Sequence, residues 1–398
     1  MRIQDRVREP RVELSPLLSA MNNDWKALTP HRPLDPGSDV YVTPPSGGAR
    51  HIADWILAGG STVLVGGPAG IGKSTEMAQA ATLLQAERFA CLVPLDRWEN
   101  MRKLTPEQLL LRIAGRIAYV ATQSLRLPVS PELRESLISA GVLKDDSMSV
   151  APGGKAIPSA PALIRHTLSE VNRLVEQRRI ALLIDGLEKV PPGAGATDLF
   201  DALGTLPENV DLVVVVPWHA AFGPRADAVL RAGEKFVALH AVEVEGEPGE
   251  PGRQFLRDLL SARLQLNAEA FEDAEGRARR TLVNEAAQWS GGVPRTFLQL
   301  LADAGTYARL RRNAPWPEPS DLADAVADQE DSLRRVLLPG DTQAILAVEG
   351  SDGRELALDR KVRLMAHGVL LERLRDRRPV LEVHPLARAA VKEMRRSA

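Results

Sequence analysis

A short glycine-rich stretch carries residue types that hold phosphate groups in proteins. It runs from Gly67 to Ser74 and fits the P-loop spacing Gly-x4-Gly-Lys-Ser/Thr, in which backbone N–H groups point at phosphate oxygens. A β-branched run, Thr62–Val65, precedes it and a helical pattern follows, which is the order that such a loop requires. The residues predicted to bind nucleotide here are Gly67, Pro68, Ala69, Gly70, Ile71, Gly72, Lys73, Ser74 and Thr75.

These residue types divide the chemistry among them. Lys73 places a point charge on the β- and γ-phosphates, Ser74 offers its hydroxyl to Mg²⁺, and Thr75 is the neighbour that contacts the α-phosphate. We therefore predict a nucleoside triphosphate with Mg²⁺ as the ligand.

A second candidate element ends in a carboxylate. Ile180–Ile184 has the composition of a buried parallel strand and is followed by Asp185, which can reach Mg²⁺ directly or through water. Glu188 follows three residues later, where a carboxylate can orient or deprotonate the attacking water; a solvated turn is the alternative. We predict Lys73, Asp185 and Glu188 as catalytic residues, and Ser74 and Asp185 as metal ligands.

The pattern of the chain favours an α/β fold. Strand-like runs at Phe89–Leu95, Val210–Val216 and Phe236–Val244 alternate with helical patterns, which predicts the doubly wound parallel sheet of a P-loop NTPase. His219 follows one of these strands and is either a γ-phosphate contact or a loop histidine. The Gly- and Pro-rich stretch 141–161 predicts an exposed loop of open role.

A Pro/Gly stretch at Gly246–Gly252 marks the clearest domain boundary. The pattern then becomes helical, and it ends in the order helix, helix, β-hairpin and helix, which is typical of a winged helix. The predicted parts are an N-terminal extended arm (1–48), a P-loop NTPase domain (49–245), a helical lid domain (253–338) and a winged-helix domain (339–398). The predicted wing carries Arg373, Arg375, Arg377 and Arg378. Interleaved acidic residues favour a solvated or protein-contact surface there over a DNA contact.

Composition narrows the class of protein. The chain has 398 residues and a net charge of −2, so no global basic field attracts nucleic acid. Its one cysteine, Cys91, lies in an apolar run and predicts a buried thiol in a reducing compartment. Neither a secretory signal nor an apolar run long enough to span a bilayer is found, so we expect a cytoplasmic protein without membrane contact.

The order of these motifs resembles the STAND class of signalling NTPases, with NACHT and NB-ARC proteins and origin-recognition-type AAA+ ATPases as relatives. The resemblance covers about residues 40–398. It rests on the P-loop, on Asp185-Gly-Leu-Glu188, on the turn Gly291–Arg295 and on His384 in the winged helix. No repeat array follows the winged helix.

The resemblance implies further binding residues. Pro294 would lie near the adenine, Arg295 would occupy the position of a sensor arginine, and His384 would hold the β-phosphate of ADP in the off state. ATP and ADP with Mg²⁺ are the implied cofactors. The strand ending at Val216 lacks the polar residue that usually senses the γ-phosphate, which departs from the class.

Two functional hypotheses follow. The first is a slowly hydrolysing STAND-type switch that couples nucleotide state to domain rearrangement and to partner binding or homo-oligomerisation. Its sensor and effector would be separate proteins, and a bacterial conflict or antiphage system is the setting that the class suggests. The alternative is a DNA-associated AAA+ ATPase or loader that binds duplex DNA through its winged helix. A scaffold that binds nucleotide without turnover is a weaker third hypothesis.

Overall fold

The computed structural model describes residues 25–28, 34–143, 159–176, 178–191, 194–217, 233–266, 268–271, 274–350, 356–375 and 378–397. The first part of the chain comprises α1 (Gly48–Leu57), β1 (Thr62–Gly66), α2 (Lys73–Leu84), β2 (Phe89–Pro94), α3 (Pro106–Tyr119), α4 (Pro131–Ser139), α5 (Ala160–Leu174), β3 (Ile180–Asp185), α6 (Ala194–Leu203), β4 (Val210–Val215) and β5 (Lys235–Ala238). The second comprises α7 (Glu250–Leu264), α8 (Ala274–Trp289), α9 (Pro294–Arg312) and α10 (Pro319–Arg334). The third comprises α11 (Asp341–Gly350), α12 (Leu358–Ala366), β6 (Leu370–Arg375), β7 (Arg378–Val383) and α13 (Pro385–Ser397).

The first part folds around a parallel sheet. Its five strands lie in the order β2-β3-β4-β1-β5, and all neighbouring pairs are parallel. Val214 of β4 pairs with Leu64 of β1 on one side and with Ile184 of β3 on the other, so the strands that lead to the two predicted motifs flank β4. The prediction of a doubly wound P-loop NTPase sheet is confirmed.

Both faces of the sheet are covered, which explains why its strands are nearly all apolar. Residues of α3, α4, α5 and α6 share a core with one face, and residues of α1 and α2 share a core with the other. Cys91 of β2 is fully buried in the first of these cores, and burial raises the pKa of its thiol to about 12. The predicted buried thiol is confirmed.

Two further cores follow along the chain. Helices α7 to α10 enclose one, and the other lies between α11, α12, the β6–β7 hairpin and α13. The hairpin is antiparallel, so this last part has the predicted winged-helix order. Within the described ranges, no helix combines the length and apolar character needed to cross a membrane.

Two sequence predictions differ from the structure at the end of the sheet. The strand predicted through Val244 is wrong beyond β5, which ends at Ala238, because the chain then leaves the sheet to contact the lid. There the Val242 N–H donates to the carbonyl oxygen of Gly292 at 3.2 Å. Helix α7 begins at Glu250, inside the predicted linker.

Some predictions stay open. His219, Arg377 and most of the predicted loop at 141–161 lie outside the described residues, as does most of the predicted N-terminal arm. The domain boundaries remain predictions.

Candidate functional site

The glycine-rich loop joins β1 to α2, as its sequence predicts. Gly70 and Gly72 have φ angles of 82° and 102°, in the left-handed region that favours glycine. Lys73 is buried, and its Nζ donates to the carbonyl oxygens of Gly67 and Pro68, both at 2.9 Å. Burial lowers the pKa of the Lys73 ammonium, while the nearby carboxylates of Glu188 and Asp185 act against that shift. The positive charge therefore stands in a poorly hydrated loop.

Two carboxylates lie on the same edge of the sheet. Asp185 is 2% exposed at the end of β3, and its pKa is raised to about 6, first by burial and then by the charge of Glu188. A hydrogen bond from the Ser74 hydroxyl acts in the opposite direction. Asp185 Oδ1 and Glu188 Oε2 are buried without a hydrogen-bond partner. Unsatisfied buried oxygens of this kind are rare and call for a donor or a cation.

These oxygens fit Mg²⁺ bound together with phosphate. Among the described residues, no three His, Cys, Asp or Glu side chains form a metal cluster. Mg²⁺ needs no such cluster, because it is held by one or two carboxylates with substrate phosphates and waters completing its octahedron. Ser74 and Asp185 supply the protein oxygens for such a site, and the metal would relieve the unpartnered charge.

A cavity of about 370 Å³ opens in front of the loop. Lys73, Glu188 and Arg295 form a charged part of its lining. Apolar lining residues come from the segment after β5, from α7, from α9 and from the chain before α1: Leu34, Val42, Pro44, Leu239, Val242, Phe255, Leu259, Pro294 and Leu298. Charged and apolar walls in one cavity suit the phosphates and the base of a nucleotide.

The predicted lid turn lies directly on the loop. The Arg295 N–H donates to the carbonyl oxygen of Gly70 at 3.2 Å, and a Cβ on Gly70 would lie 2.9 Å from the Cβ of Arg295. This contact requires glycine at position 70 for space as well as for its φ angle.

The cavity brings together most of the predicted site residues. Those that line it are Gly67, Ala69, Gly70, Ile71, Gly72, Lys73, Ser74, Thr75, Glu188, Pro294 and Arg295. Pro68, Asp185 and His384 are not among the lining residues. Pro68 holds Lys73 through its carbonyl, and Asp185 lies behind Ser74. The binding and catalytic roles of all these residues remain predictions.

His384 makes different contacts from those that the resemblance implies. It is 3% exposed, its Nδ1 accepts from the Leu386 N–H at 3.2 Å, and its ring donates to the backbone carbonyl of Ser290. Burial, with the charge of Arg373, lowers the pKa of His384 to about 3. In this arrangement the neutral ring ties the start of α13 to the lid turn.

Two acidic residues of the cavity lining, Asp96 and Glu76, were missed in the sequence. Asp96 lies two residues after the end of β2 and pairs with Lys189. A carboxylate that follows a parallel strand was the sequence signal that could have identified it. Tyr41 donates to Glu76 Oε1 at 3.2 Å, which leaves its hydroxyl engaged. Glu76 also accepts from the Ala49 N–H at 2.7 Å and thereby caps α1. No local pattern predicts this long-range contact.

Comparison with known proteins gives a distant likeness. No protein-family model matches the sequence, and no curated protein matches it significantly. The Aeropyrum pernix Orc1 protein in complex with DNA is 18% identical, with a TM-score of 0.41 and coverage of 94% of this chain and 98% of that chain. Cdc6p from Pyrobaculum aerophilum is 14% identical, with a TM-score of 0.45 and the same coverage. The Thermotoga maritima RuvB Holliday junction branch migration motor is 11% identical, with a TM-score of 0.40 and coverage of 89% and 98%. Likeness at this level assigns no activity or partner to the chain.

The buried neutral His384 predicts an acid-sensitive fold. Its pKa is lower in the folded chain than its ordinary value of 6.5, so the unfolded chain binds the proton more readily and stability falls as pH drops below about 6.5. The wild type should lose about 2 kcal/mol of unfolding free energy between pH 7 and pH 5 through this group. Urea denaturation at both pH values tests this against His384→Gln, which cannot titrate. An equal loss in both proteins would contradict the prediction.

Proposed function

We propose that this chain binds ATP and hydrolyses it slowly with Mg²⁺ in the cavity at the edge of its sheet. The observation that carries the proposal is the pair of buried, unpartnered oxygens, Asp185 Oδ1 and Glu188 Oε2, on the edge of the sheet that also holds Lys73. A phosphate with Mg²⁺ satisfies all three groups at once. In a Gly-rich turn that binds no ligand, buried and unpartnered charged groups of this kind would only destabilise the fold.

Each residue then has one task. The loop from Gly67 to Gly72 directs its N–H groups at the phosphates, and Lys73 exchanges its carbonyl partners for phosphate oxygens. Ser74 and Asp185 hold the metal, which when bound neutralises charge on the phosphates. Glu188 orients the water and accepts its proton.

Two substitutions separate binding from hydrolysis. Lys73→Ala should weaken ATP binding by at least about tenfold, because the loop loses its point charge. Glu188→Gln should keep ATP affinity within about threefold and lower turnover by about a hundredfold or more, since the amide cannot accept a proton. Calorimetric titration and phosphate release measure the two effects.

Glu107→Gln, an exposed change on α3, is the control and should leave both quantities unchanged. Full turnover in Glu188→Gln would remove Glu188 from the proposed mechanism. Absence of binding by the wild type would overturn the proposal itself.

We further propose that the nucleotide controls docking of the winged helix. Arg373 of β6 is 3% exposed and donates to the carbonyl oxygen of Val242 at 2.6 Å and to that of Gly291 at 2.7 Å. Its Nε donates to Glu382 on the neighbouring strand at 2.9 Å. One guanidinium thus joins the wing to the segment after β5 and to the lid turn.

The docked wing also reaches the cavity. His240 lines the cavity, and its Nδ1 lies 3.3 Å from Glu372 Oε1 of β6. Val362 and Ala366 of α12 line the cavity as well. A nucleotide in this position can bind docked and undocked arrangements with different affinity, which is the requirement for a switch.

This arrangement supports a nucleotide-dependent switch of the STAND type. Separate sensor or effector proteins and nucleotide-dependent homo-oligomerisation belong to this proposal, and the bacterial defence setting remains a hypothesis from the resemblance.

Removing the docking arginine should loosen the wing. Arg373→Met keeps the apolar stem but loses all three hydrogen bonds, so amide exchange at 239–244 and 370–375 should quicken by at least about tenfold. Hydrogen-exchange mass spectrometry measures this, with the exposed Arg378→Met of the same hairpin as the matched control. Equal protection in the two variants would contradict the role of Arg373.

A DNA-associated ATPase is the second candidate. The Orc1 structure above is a complex with DNA, and a DNA contact of this chain through the wing arginines stays a prediction. Two of these arginines make contacts within the protein. Arg373 bonds to protein atoms, and Arg375 pairs with Glu382 at 2.6 Å and with Glu243 at 3.5 Å.

A different surface favours the DNA candidate. Trp98 and Tyr119 are 42% and 46% exposed, and the guanidinium carbon of Arg116 lies 5.7 Å and 5.2 Å from their ring centroids. Arg102 and Lys103 are exposed close along the chain. Exposed aromatic rings with cations are the groups that stack on bases and bind phosphates. We name Trp98, Arg102, Lys103, Arg116 and Tyr119 the aromatic-basic face.

The two candidates differ in their response to changes on this face. If DNA is the partner, Trp98→Ala should weaken the binding of a labelled single strand about fivefold or more, because a stacking ring is lost. The double change Arg102→Glu with Lys103→Glu should reduce the dependence of DNA affinity on salt concentration, because phosphate contacts are lost. Arg378→Glu on the wing is the control. Fluorescence anisotropy at low salt with single-stranded and duplex DNA measures this. Absence of DNA binding by the wild type, with nucleotide binding intact, would leave the switch as the function.

A further inference from the structure

One side of the cavity carries a buried donor atom that has no hydrogen-bond partner among the described residues. Phe255, Leu259 and Arg263 of α7 recur every four residues and all line the cavity. The first two are buried apolar side chains. The Nε of Arg263 is buried and has no hydrogen-bond partner among the described residues. Burial lowers the pKa of Arg263, and no acidic neighbour opposes that shift.

A buried donor without an acceptor has a cost. An N–H group removed from water without a hydrogen-bond partner destabilises the fold, and a bound ligand can supply the acceptor. A guanidinium is a donor only, so the ligand must present an acceptor atom to it.

The surroundings of Arg263 indicate which part of a nucleotide lies near it. Phe255 and Leu259, which precede it on the same face of α7, are buried apolar residues of the cavity lining. Burial is the one cause of the lowered pKa of Arg263, so the charged groups around Lys73 do not act on it. Arg263 therefore lies on an apolar wall of the cavity, which suits the base rather than the phosphates.

We propose that Arg263 donates a hydrogen bond to a ring nitrogen of the purine base of the bound nucleotide. The inference rests on the proposed nucleotide site and adds its base-positioning residue. Adenine carries acceptors at N1, N3 and N7, whereas its exocyclic amino group is a donor and repels the guanidinium. The apolar walls contact the faces of the ring, and Arg263 fixes its orientation.

A variant combined with nucleotide analogues tests this assignment on the full chain. Arg263→Met keeps the stem and removes the donors, so ATP affinity should fall by about tenfold. Among 1-deaza-, 3-deaza- and 7-deaza-ATP, one analogue should bind the wild type about tenfold more weakly than ATP. That analogue and ATP should bind Arg263→Met equally. Arg263→Lys should restore part of the affinity.

Inorganic tripolyphosphate has no base, so its binding distinguishes the loss of a contact with the base from damage to the fold. Its affinity should be the same for the wild type and for Arg263→Met. Arg309→Met, an exposed change on α9, is the control and should change the affinity for neither ATP nor tripolyphosphate. Equal ATP affinity in the wild type and Arg263→Met would overturn the assignment, and so would a parallel loss of tripolyphosphate. If the wild type binds neither ATP nor tripolyphosphate, the proposed nucleotide site itself fails, which is a different result.

Discussion

The three parts of the chain meet at the backbone of Val242. Its N–H donates to Gly292 of the lid turn, its carbonyl oxygen accepts from Arg373 of the wing, and its side chain lines the cavity. A Cβ on Gly292 would lie 1.9 Å from that carbonyl oxygen, and the φ angle of Gly292 is 74°. Only glycine permits this approach, so the three parts of the chain come together here through a backbone contact that requires glycine at position 292.

The charged groups of the site lie close to that contact. The edge of the sheet gathers Lys73, Asp185 and Glu188 in a site from which water is largely excluded, and charges there interact strongly. The lid turn contacts the same loop through the hydrogen bond between Arg295 and Gly70. The wing contacts the lid turn through the hydrogen bond from Arg373 to Gly291. In the proposed switch, a change in phosphate charge would act on the positions of the domains through these two contacts.

The sequence predicts local features well and long-range contacts poorly. The sheet, the helices and the phosphate loop follow from hydrophobic periodicity and glycine spacing within short windows. Asp185 and Glu188 follow from their place after a buried strand. The contact of Arg373 with Val242 joins residues 131 positions apart, and no short pattern encodes it. The strand predicted through Val244 failed for the same reason, because Val242 and Val244 are apolar in order to pack in the core of the lid helices rather than within the sheet.

The same limit explains the position of His384. The resemblance implies a phosphate contact for His384, and that role stays a prediction; the orientation of its ring depends on Ser290, which is distant in sequence. Arg263 and Asp96 are ordinary charged residues in the sequence. Only the folded chain shows that the buried Nε of Arg263 has no partner among the described residues and that Asp96 lies on the cavity wall.

The strength of the docking contact argues for a partner. Two hydrogen bonds of Arg373 cross from the wing to the rest of the chain, and hydrogen bonds to a charged group contribute about 1.5–3 kcal/mol each. The pair therefore holds the docked arrangement by roughly 3–6 kcal/mol. Coupling between two binding sites is typically about 1–3 kcal/mol, whereas a full reversal of a two-state population requires about 5.5 kcal/mol. In the proposed switch, nucleotide exchange alone would cover only part of that difference, and the proposed partner would supply the rest by binding the undocked form.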